Sequence, residues 1–398
     1  MKYLCRIMFM RRPYKILLVS LAMCCLCLAS ARAQEISISA GRNVLTNTKY
    51  ITDLVPGARG YNAFDIGLGW RSEGKEAAGY GNPLLGAGFS WSNLGAVDCV
   101  PGSSLGDAFA LYGFFKRDLL HAGPVSAGYD IQLGGALMTN PYHKTENPLN
   151  VLYGGPFTFH IKGGFFVETV VGKDWKVGAE VGFKHNSACR LIIPNRGLNA
   201  VCYTLSASYS LGNATIEPGK AIPAVTPLDK RFRVAVFASG GIHKCMAEFE
   251  ADQLLPPEER PDQYTPWFKG SVGAEVVWRY CRKTSTGLQA ELHYIANTEA
   301  LRRSDAALYG TKDLEYSPFA PGVGFIQDLY FGSWSVGAGM GVYLYRKVGI
   351  HENRGPLYQK VYLKYYPPFL PSCFAGISLR AHKFNRADYL EFTVGTIL

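Results

Sequence analysis

Beyond its first 33 residues this chain has no apolar run long enough to form a spanning helix, yet segment after segment alternates apolar and polar residues. That alternation constrains the fold most. A period of two places one residue set on each face of a β-strand. In "WKVGAEVGFKHNS", Val177, Ala179, Val181 and Phe183 share one face, while Lys176, Glu180 and Lys184 share the other. About sixteen such strands can be read, eight on each side of the Pro-rich stretch "GNATIEPGKAIPAVTPLDK". An all-β fold follows, and the remaining question is which solvent the apolar faces meet.

The N-terminus answers it. Lys2, Arg6, Arg11, Arg12 and Lys15 precede the apolar run "ILLVSLAMCCLCL", and Ala31 and Ala33 occupy the small-residue positions of a cleavage site. Residues 1–33 read as a secretory signal peptide. A transmembrane anchor is the competing reading, but the run is short for a bilayer. Without this segment the net charge falls from +10 to +4, because six Lys and Arg and no Asp or Glu precede Gln34. So mild an excess does not argue for nucleic acid. Six cysteines remain, Cys99, Cys189, Cys202, Cys245, Cys281 and Cys373, with no CxxC spacing and no resemblance to a disulfide framework.

An exported chain of alternating, aromatic-rich strands fits an antiparallel transmembrane β-barrel of the bacterial outer membrane, with a secreted β-sandwich as the soluble alternative. One barrel of about sixteen strands is the first expectation, and two eight-stranded halves the second. The halves are bounded at 34–212 and 231–398, with 213–230 as a periplasmic linker or turn. Counting strands upward from the periplasm puts long connections such as "TNPYHKTENPLNVLYGG" outside and short ones such as "GKD" and "FGS" inside, with "RSEGKEAAGYGNP" as an exception. "WKVGAEVG" at Trp175 echoes "WSVGAGMG" at Trp334, which reads as two similar strands rather than a repeat.

The outward row that begins at Val177 ends in His185 and Ser187. The next strand brings Asn199 back beside them on the same side. An unpaired hydroxyl in an apolar setting costs about 1–3 kcal/mol. A mutually bonded Ser–His–Asn set relieves that cost, and it is also the arrangement of an activated nucleophile with an oriented base. The bland alternative is three polar residues at headgroup level, since an isolated H-x-S arises by chance.

The stretch His185-Asn186-Ser187-Ala188, followed by Pro194-Asn195-Arg196-Gly197-Leu198-Asn199, resembles the lipid A 3-O-deacylases of bacterial outer membranes, the PagL-like family of acyloxyacyl hydrolases. The family pattern looks like H-x-S-N, then P-N-x-G, then a closing acidic residue. The resemblance implies an esterase acting on lipid A acyl chains in the membrane, without metal or cofactor. It implies His185 as general base, Ser187 as nucleophile and Asn195 as an oxyanion or positioning group. Ala188 and Asn199 depart from the pattern, standing where the family has Asn and Glu. Asn199 can orient an imidazole but cannot offset imidazolium charge, and Glu180, nearby in sequence, has the wrong parity to replace it.

The rival is a non-enzymatic barrel, either a porin-like channel or a structural protein, for which lumen-facing Gly337, Gly339 and Gly341 are compatible. His243, His293, His351 and His382 lack a partner pattern and read as loop or rim residues. Glu248, Glu250 and Asp252 alternate, so a divalent-ion site there competes with a solvated loop.

Overall fold

The computed structural model describes residues 33–46, 51–211, 227–310, 314–383 and 386–398. The signal-peptide reading and the periplasmic placing of the linker fall outside the described residues, apart from Ala33 and the linker's last residues, which begin β9.

All sixteen strands are present. In the first half they are β1 (Glu35–Leu45), β2 (Gly60–Arg71), β3 (Leu84–Ser92), β4 (Ala108–Ala122), β5 (Val125–Met138), β6 (Phe157–Val171), β7 (Trp175–Ser187) and β8 (Leu198–Ser210). In the second half they are β9 (Pro227–Lys244), β10 (Pro266–Cys281), β11 (Thr284–Ile295), β12 (Phe319–Phe331), β13 (Trp334–Tyr343), β14 (Leu357–Tyr365), β15 (Cys373–His382) and β16 (Arg386–Ile397). Helices α1 (Lys75–Gly79), α2 (Met246–Asp252) and α3 (Thr298–Tyr309) lie between strands among the described residues.

The strands close into two barrels of eight, which corrects the expectation of one barrel of sixteen and bears out its alternative. The closing pairs decide this. β1 runs antiparallel to both β2 and β8, with Ser39 opposite Asp65 on one side and Ser206 on the other. β9 likewise pairs with β10 and β16, with Ser239 opposite Ser271 and Thr393. Full closure leaves no strand edge unpaired, as a hydrocarbon environment demands.

Alternation sorts the side chains as expected. Along β7, Val177, Ala179, Val181 and Phe183 are exposed, while Lys176, Gly182 and Lys184 are buried. Every strand has at least nine residues, enough for a tilted crossing of a bilayer. Aromatic rings pair on the outside at the short-turn ends, Trp175 with Tyr209 and Trp334 with Tyr365. Phe268, Tyr294 and Phe319 do so at the opposite end of the second barrel. An apolar band between aromatic girdles is the exterior of a membrane barrel.

The interiors are filled. In the first barrel Lys162 meets Glu180 at 2.6 Å and Lys176 meets Glu35 at 2.8 Å, while Lys116 pairs with Glu168. In the second, fully buried Arg380 bonds Glu291 at 3.1 Å and Glu391 at 3.2 Å, and Lys364 bonds Glu275 at 2.8 Å. Charges removed from water persist only when paired in this way. Gly337 and Gly341 do face inward, but for packing. A Cβ at either would lie 2.2 Å from a ring, that of Tyr362 or Tyr358. A void among Phe237, Glu275, Lys360 and Thr393 has about 10 Å³ of space, room for a single water. A plugged interior argues against the channel form of the rival reading.

The chain divides into two compact units. The first comprises residues 1–141, 156–186 and 198–222, and the second 142–155, 187–197 and 223–398. The segment 187–197, which joins β7 to β8 in sequence, therefore packs within the second unit.

Candidate functional site

β7 and β8 are paired so that His185 lies directly opposite Asn199. Both are half-buried, at the end of the hairpin away from the short turn 172–174. His185 Nδ1 lies 2.5 Å from Asn199 Oδ1. An amide oxygen only accepts, so this contact requires the proton on Nδ1 and leaves a lone pair on Nε2. Nε2 has no hydrogen-bond partner among the described residues. Glu180 cannot serve as the orienting acid, since it faces inward and pairs with Lys162, as its parity indicated.

Ser187 continues the outward row but is only 3% exposed, because the turn that follows folds over it. Asn195 Nδ2 donates to Ser187 Oγ at 2.9 Å, and Asn195 Oδ1 lies 3.2 Å from the same oxygen. The Cys189 N–H also donates to Ser187 Oγ, at 3.1 Å, and Asn195 Oδ1 accepts the Ala188 N–H at 2.9 Å. Asn195 thus holds the serine hydroxyl and the backbone beside it. The structure brings together His185 with Asn199 and Ser187 with Asn195. No hydrogen bond joins Ser187 to His185 among the described residues, so the fully connected Ser–His–Asn set expected from the sequence is not formed.

The turn itself is strained. Cys189 and Arg190 have φ of 49° and 62°, a left-handed pair without glycine. Such residues cost about 1–2 kcal/mol each, and the surroundings offset it. The Arg190 carbonyl accepts the Lys244 N–H at 2.7 Å, and its guanidinium bonds Glu352 at 2.9 Å. Burial pushes the Glu352 carboxyl up, but Arg190, with His351 and Lys269 nearby, outweighs it and holds the group below the ordinary carboxylate range. Burial pushes the Cys189 thiol up to about 11, with Ser187 opposing. It therefore stays protonated at neutral pH and does not compete as a nucleophile.

The pairing of Arg190 with Glu352 and of Arg196 with Glu250 is not legible in the sequence. Their separation along the chain gives no local signal. Glu248, Glu250 and Asp252 do not alternate along an extended loop, since they lie on α2. Glu250 is paired with Arg196, and Glu248 accepts the Trp267 indole N–H at 2.9 Å. No three His, Cys, Asp or Glu side chains are grouped to hold a metal ion among the described residues. His351 is in a loop, as read, whereas His243, His293 and His382 are buried on the inward rows of β9, β11 and β15 rather than lying free at the rim. The six cysteines are all unpaired.

Two closed antiparallel barrels with apolar exteriors and plugged interiors define an outer-membrane-type β-barrel protein. Residues 232–396 match the family model described as acyloxyacyl hydrolase, C-terminal domain. Among solved structures, the outer-membrane enzyme PagL is similar at 16% identity, covering 44% of this chain and 99% of its own, with a TM-score of 0.29. Neisserial surface protein A is similar at 11% identity, covering 44% of this chain and 96% of its own, with a TM-score of 0.29. A mutant of Rh. blastica porin is similar at 9% identity, covering 92% and 99%, with a TM-score of 0.17. No curated protein matches the chain in sequence.

Proposed function

We propose that this chain is an outer-membrane serine esterase that removes an ester-linked acyl chain from lipid A or lipopolysaccharide. The observation that carries the reading is the 2.5 Å contact between His185 Nδ1 and Asn199 Oδ1. It fixes the imidazole tautomer that a general base needs, with the Nε2 lone pair available. The acyloxyacyl hydrolase match of the second half and the H-x-S, P-N-x-G spacing of the first support the same chemistry. The proposed domains are 34–212, a 213–230 linker and 231–398, with β9 beginning inside the linker at Pro227 and the site-bearing turn 187–197 packing in the second unit.

In this mechanism the acyl chain lies along the outward apolar row, beside Phe183 and Val201. Ser187 Oγ turns from Asn195 toward Nε2 and attacks the ester carbonyl. His185 takes the serine proton and passes it to the leaving sugar oxygen. Asn195, released from the hydroxyl, has an amide N–H to offer the oxyanion. Water, deprotonated by His185, then hydrolyses the acyl-serine ester and restores the hydroxyl. Catalytic hydrogen bonds often tighten only with substrate bound.

One observation favours a second reading, a structural barrel without activity. The Ser187 hydroxyl is already satisfied inside its own turn, so it has a role without catalysis. Mass spectrometry of lipid A from cells with and without the protein separates the two. A product lighter by one acyl chain, lost in Ser187→Ala, supports the esterase. An unchanged acyl pattern rejects it.

A further inference from the structure

The segment 187–197 is tied down at both ends by residues far away in sequence. At one end the Arg190 guanidinium is buried against Glu352 at 2.9 Å, with Asp388 at 3.9 Å. Asp388 is itself held by Lys269 at 2.6 Å. At the other end Arg196 pairs with Glu250, whose second oxygen meets His351 Nε2 at 2.9 Å. Between them, Ile193 packs into a cluster with Met246 and Phe249 of α2, flanked by Tyr142, Val151 and Tyr264. The backbone is gripped as well. The Arg196 and Gly197 N–H groups donate to Val151 and Leu152 carbonyls at 3.1 and 2.9 Å.

These ties converge on the stretch that carries Ser187 and Asn195 and contains the two left-handed residues, Cys189 and Arg190. Left-handed backbone at non-glycine residues persists only where its surroundings over-determine it. A turn that served only to connect two strands would need neither a buried and a half-buried ion pair nor an apolar cluster.

The geometry points to Glu352 and Glu250 as positioning residues, which clamp Arg190 and Arg196 so that the turn holds Ser187 and Asn195 in register; fixing that turn is the task of the outer loops of the second unit. The catalytic part of this inference rests on the esterase reading above, and the clamp itself does not. Neither glutamate touches substrate. Each acts through its arginine, so a loosened turn should lower turnover more than substrate binding.

The test uses the full-length protein refolded in detergent, with heat-modified gel mobility as the folding control. Hydrogen–deuterium exchange is followed in peptides covering 187–199, and deacylation of lipopolysaccharide is measured on the same samples. Glu352→Gln and Glu250→Gln should each raise exchange in 187–197 by about tenfold while β8 amides stay protected. In the active protein kcat should fall about tenfold with KM within about twofold. The swapped pair Arg190→Glu with Glu352→Arg should recover much of both. Glu315→Gln, which removes an exposed loop pair with Lys347, should change neither readout. Unchanged exchange in both glutamine variants overturns the clamp, whether or not the wild type is active. Raised exchange with unchanged kcat overturns the positioning role. Raised exchange in the glutamine variants, where the wild type deacylates nothing, upholds the clamp and rejects the esterase reading instead.

Discussion

The seventh and eighth strands of each barrel form a hairpin with a histidine near its outer end, and the two hairpins use it oppositely. In β7–β8, His185 belongs to the outward row and bonds Asn199 across the hairpin. In β15–β16, His382 faces inward, 3.2 Å from the Leu357 carbonyl and 3.4 Å from Asp388. The first hairpin is joined by the strained turn 188–197, the second by the short connection 383–385. A histidine facing lipid at the membrane surface can meet an ester. One facing the plugged lumen can only support the fold. On the proposed reading, one step of parity would separate a chemical role from a structural one.

The largest effect that sharpens this comparison is on turnover. Ser187→Ala should reduce fatty-acid release by at least about a thousandfold, and His185→Ala nearly as much, with gel mobility unchanged. His382→Ala should leave the rate per folded molecule near wild type and destabilise the second barrel by about 1–3 kcal/mol, since Asp388 Oδ2 and the Leu357 carbonyl each lose a hydrogen-bond partner. Comparable loss of turnover in His382→Ala and His185→Ala would erase the distinction between the hairpins. Wild-type activity in Ser187→Ala would remove the nucleophile assignment.

The next effect concerns the two interiors. Arg380 is fully buried and bonds two glutamates, whereas Lys162 in the first barrel bonds one. Arg380→Ala should destabilise the second barrel by about 3–5 kcal/mol, because two buried carboxylates lose one of the two cations they share and keep only Lys360. Lys162→Ala should cost the first barrel less. Urea unfolding followed by tryptophan fluorescence in detergent is the measurement. Equal losses would mean that the denser network of the second barrel adds nothing.

Strand existence and facing were legible in the sequence because both are local. A period of two in "WKVGAEVGFKHNS" fixes which side chains share a face whatever the strand pairs with. Barrel number was not legible. It depends on whether β1 meets β8 or a later strand, and nothing in Ser39 or Ser206 alone names the other. The helix α3 left a readable trace that was passed over. Ala300, Leu301, Ser304 and Asp305 fall on one helical face, and Gly310 closes the helix in the left-handed conformation. The His185–Asn199 pair was readable from hairpin parity. The attachment of Ser187 to Asn195 instead of His185 was not, since it depends on a turn shaped by Glu352 and Glu250, far away in the chain. The similar starts of β7 and β13 also need no duplication, for these are the seventh and fifth strands of their barrels.

A smaller effect tests the facing itself. Phe183 is exposed on the outward row, and Lys184 is buried inside, 3.2 Å from Ser92 Oγ. Phe183→Arg should cost about 2–4 kcal/mol if it lies near the membrane midplane and less toward the interface. Lys184→Arg keeps a cation in a polar interior and should assemble better. The yield of heat-modifiable barrel in lipid vesicles reads the difference. Equal yields would mean that the outward row does not face lipid, and with it the site would lose its access to acyl chains.

The smallest effect bears on the residue where this chain departs from the deacylases it resembles. Asn199 Oδ1 accepts from His185 but carries no charge, so in the proposed mechanism an imidazolium formed during attack would be stabilised only by a dipole. A carboxylate at the same place would keep the Nδ1 hydrogen bond and add a charge that grows in value as the imidazole takes its proton. Asn199→Asp changes the amide to a carboxylate of the same length and should raise kcat by about tenfold at neutral pH. Asn199→Glu should also gain, provided the longer side chain keeps its oxygen on Nδ1. Asn199→Ala should lose activity, though less than His185→Ala, because the imidazole remains but is no longer held. The order Asp above Asn above Ala in kcat, at similar KM, is what an orienting residue short of charge produces. If Asp equals Ala, residue 199 does not act through His185, and the resemblance of this pair to a catalytic one reduces to two polar groups satisfying each other at the membrane surface.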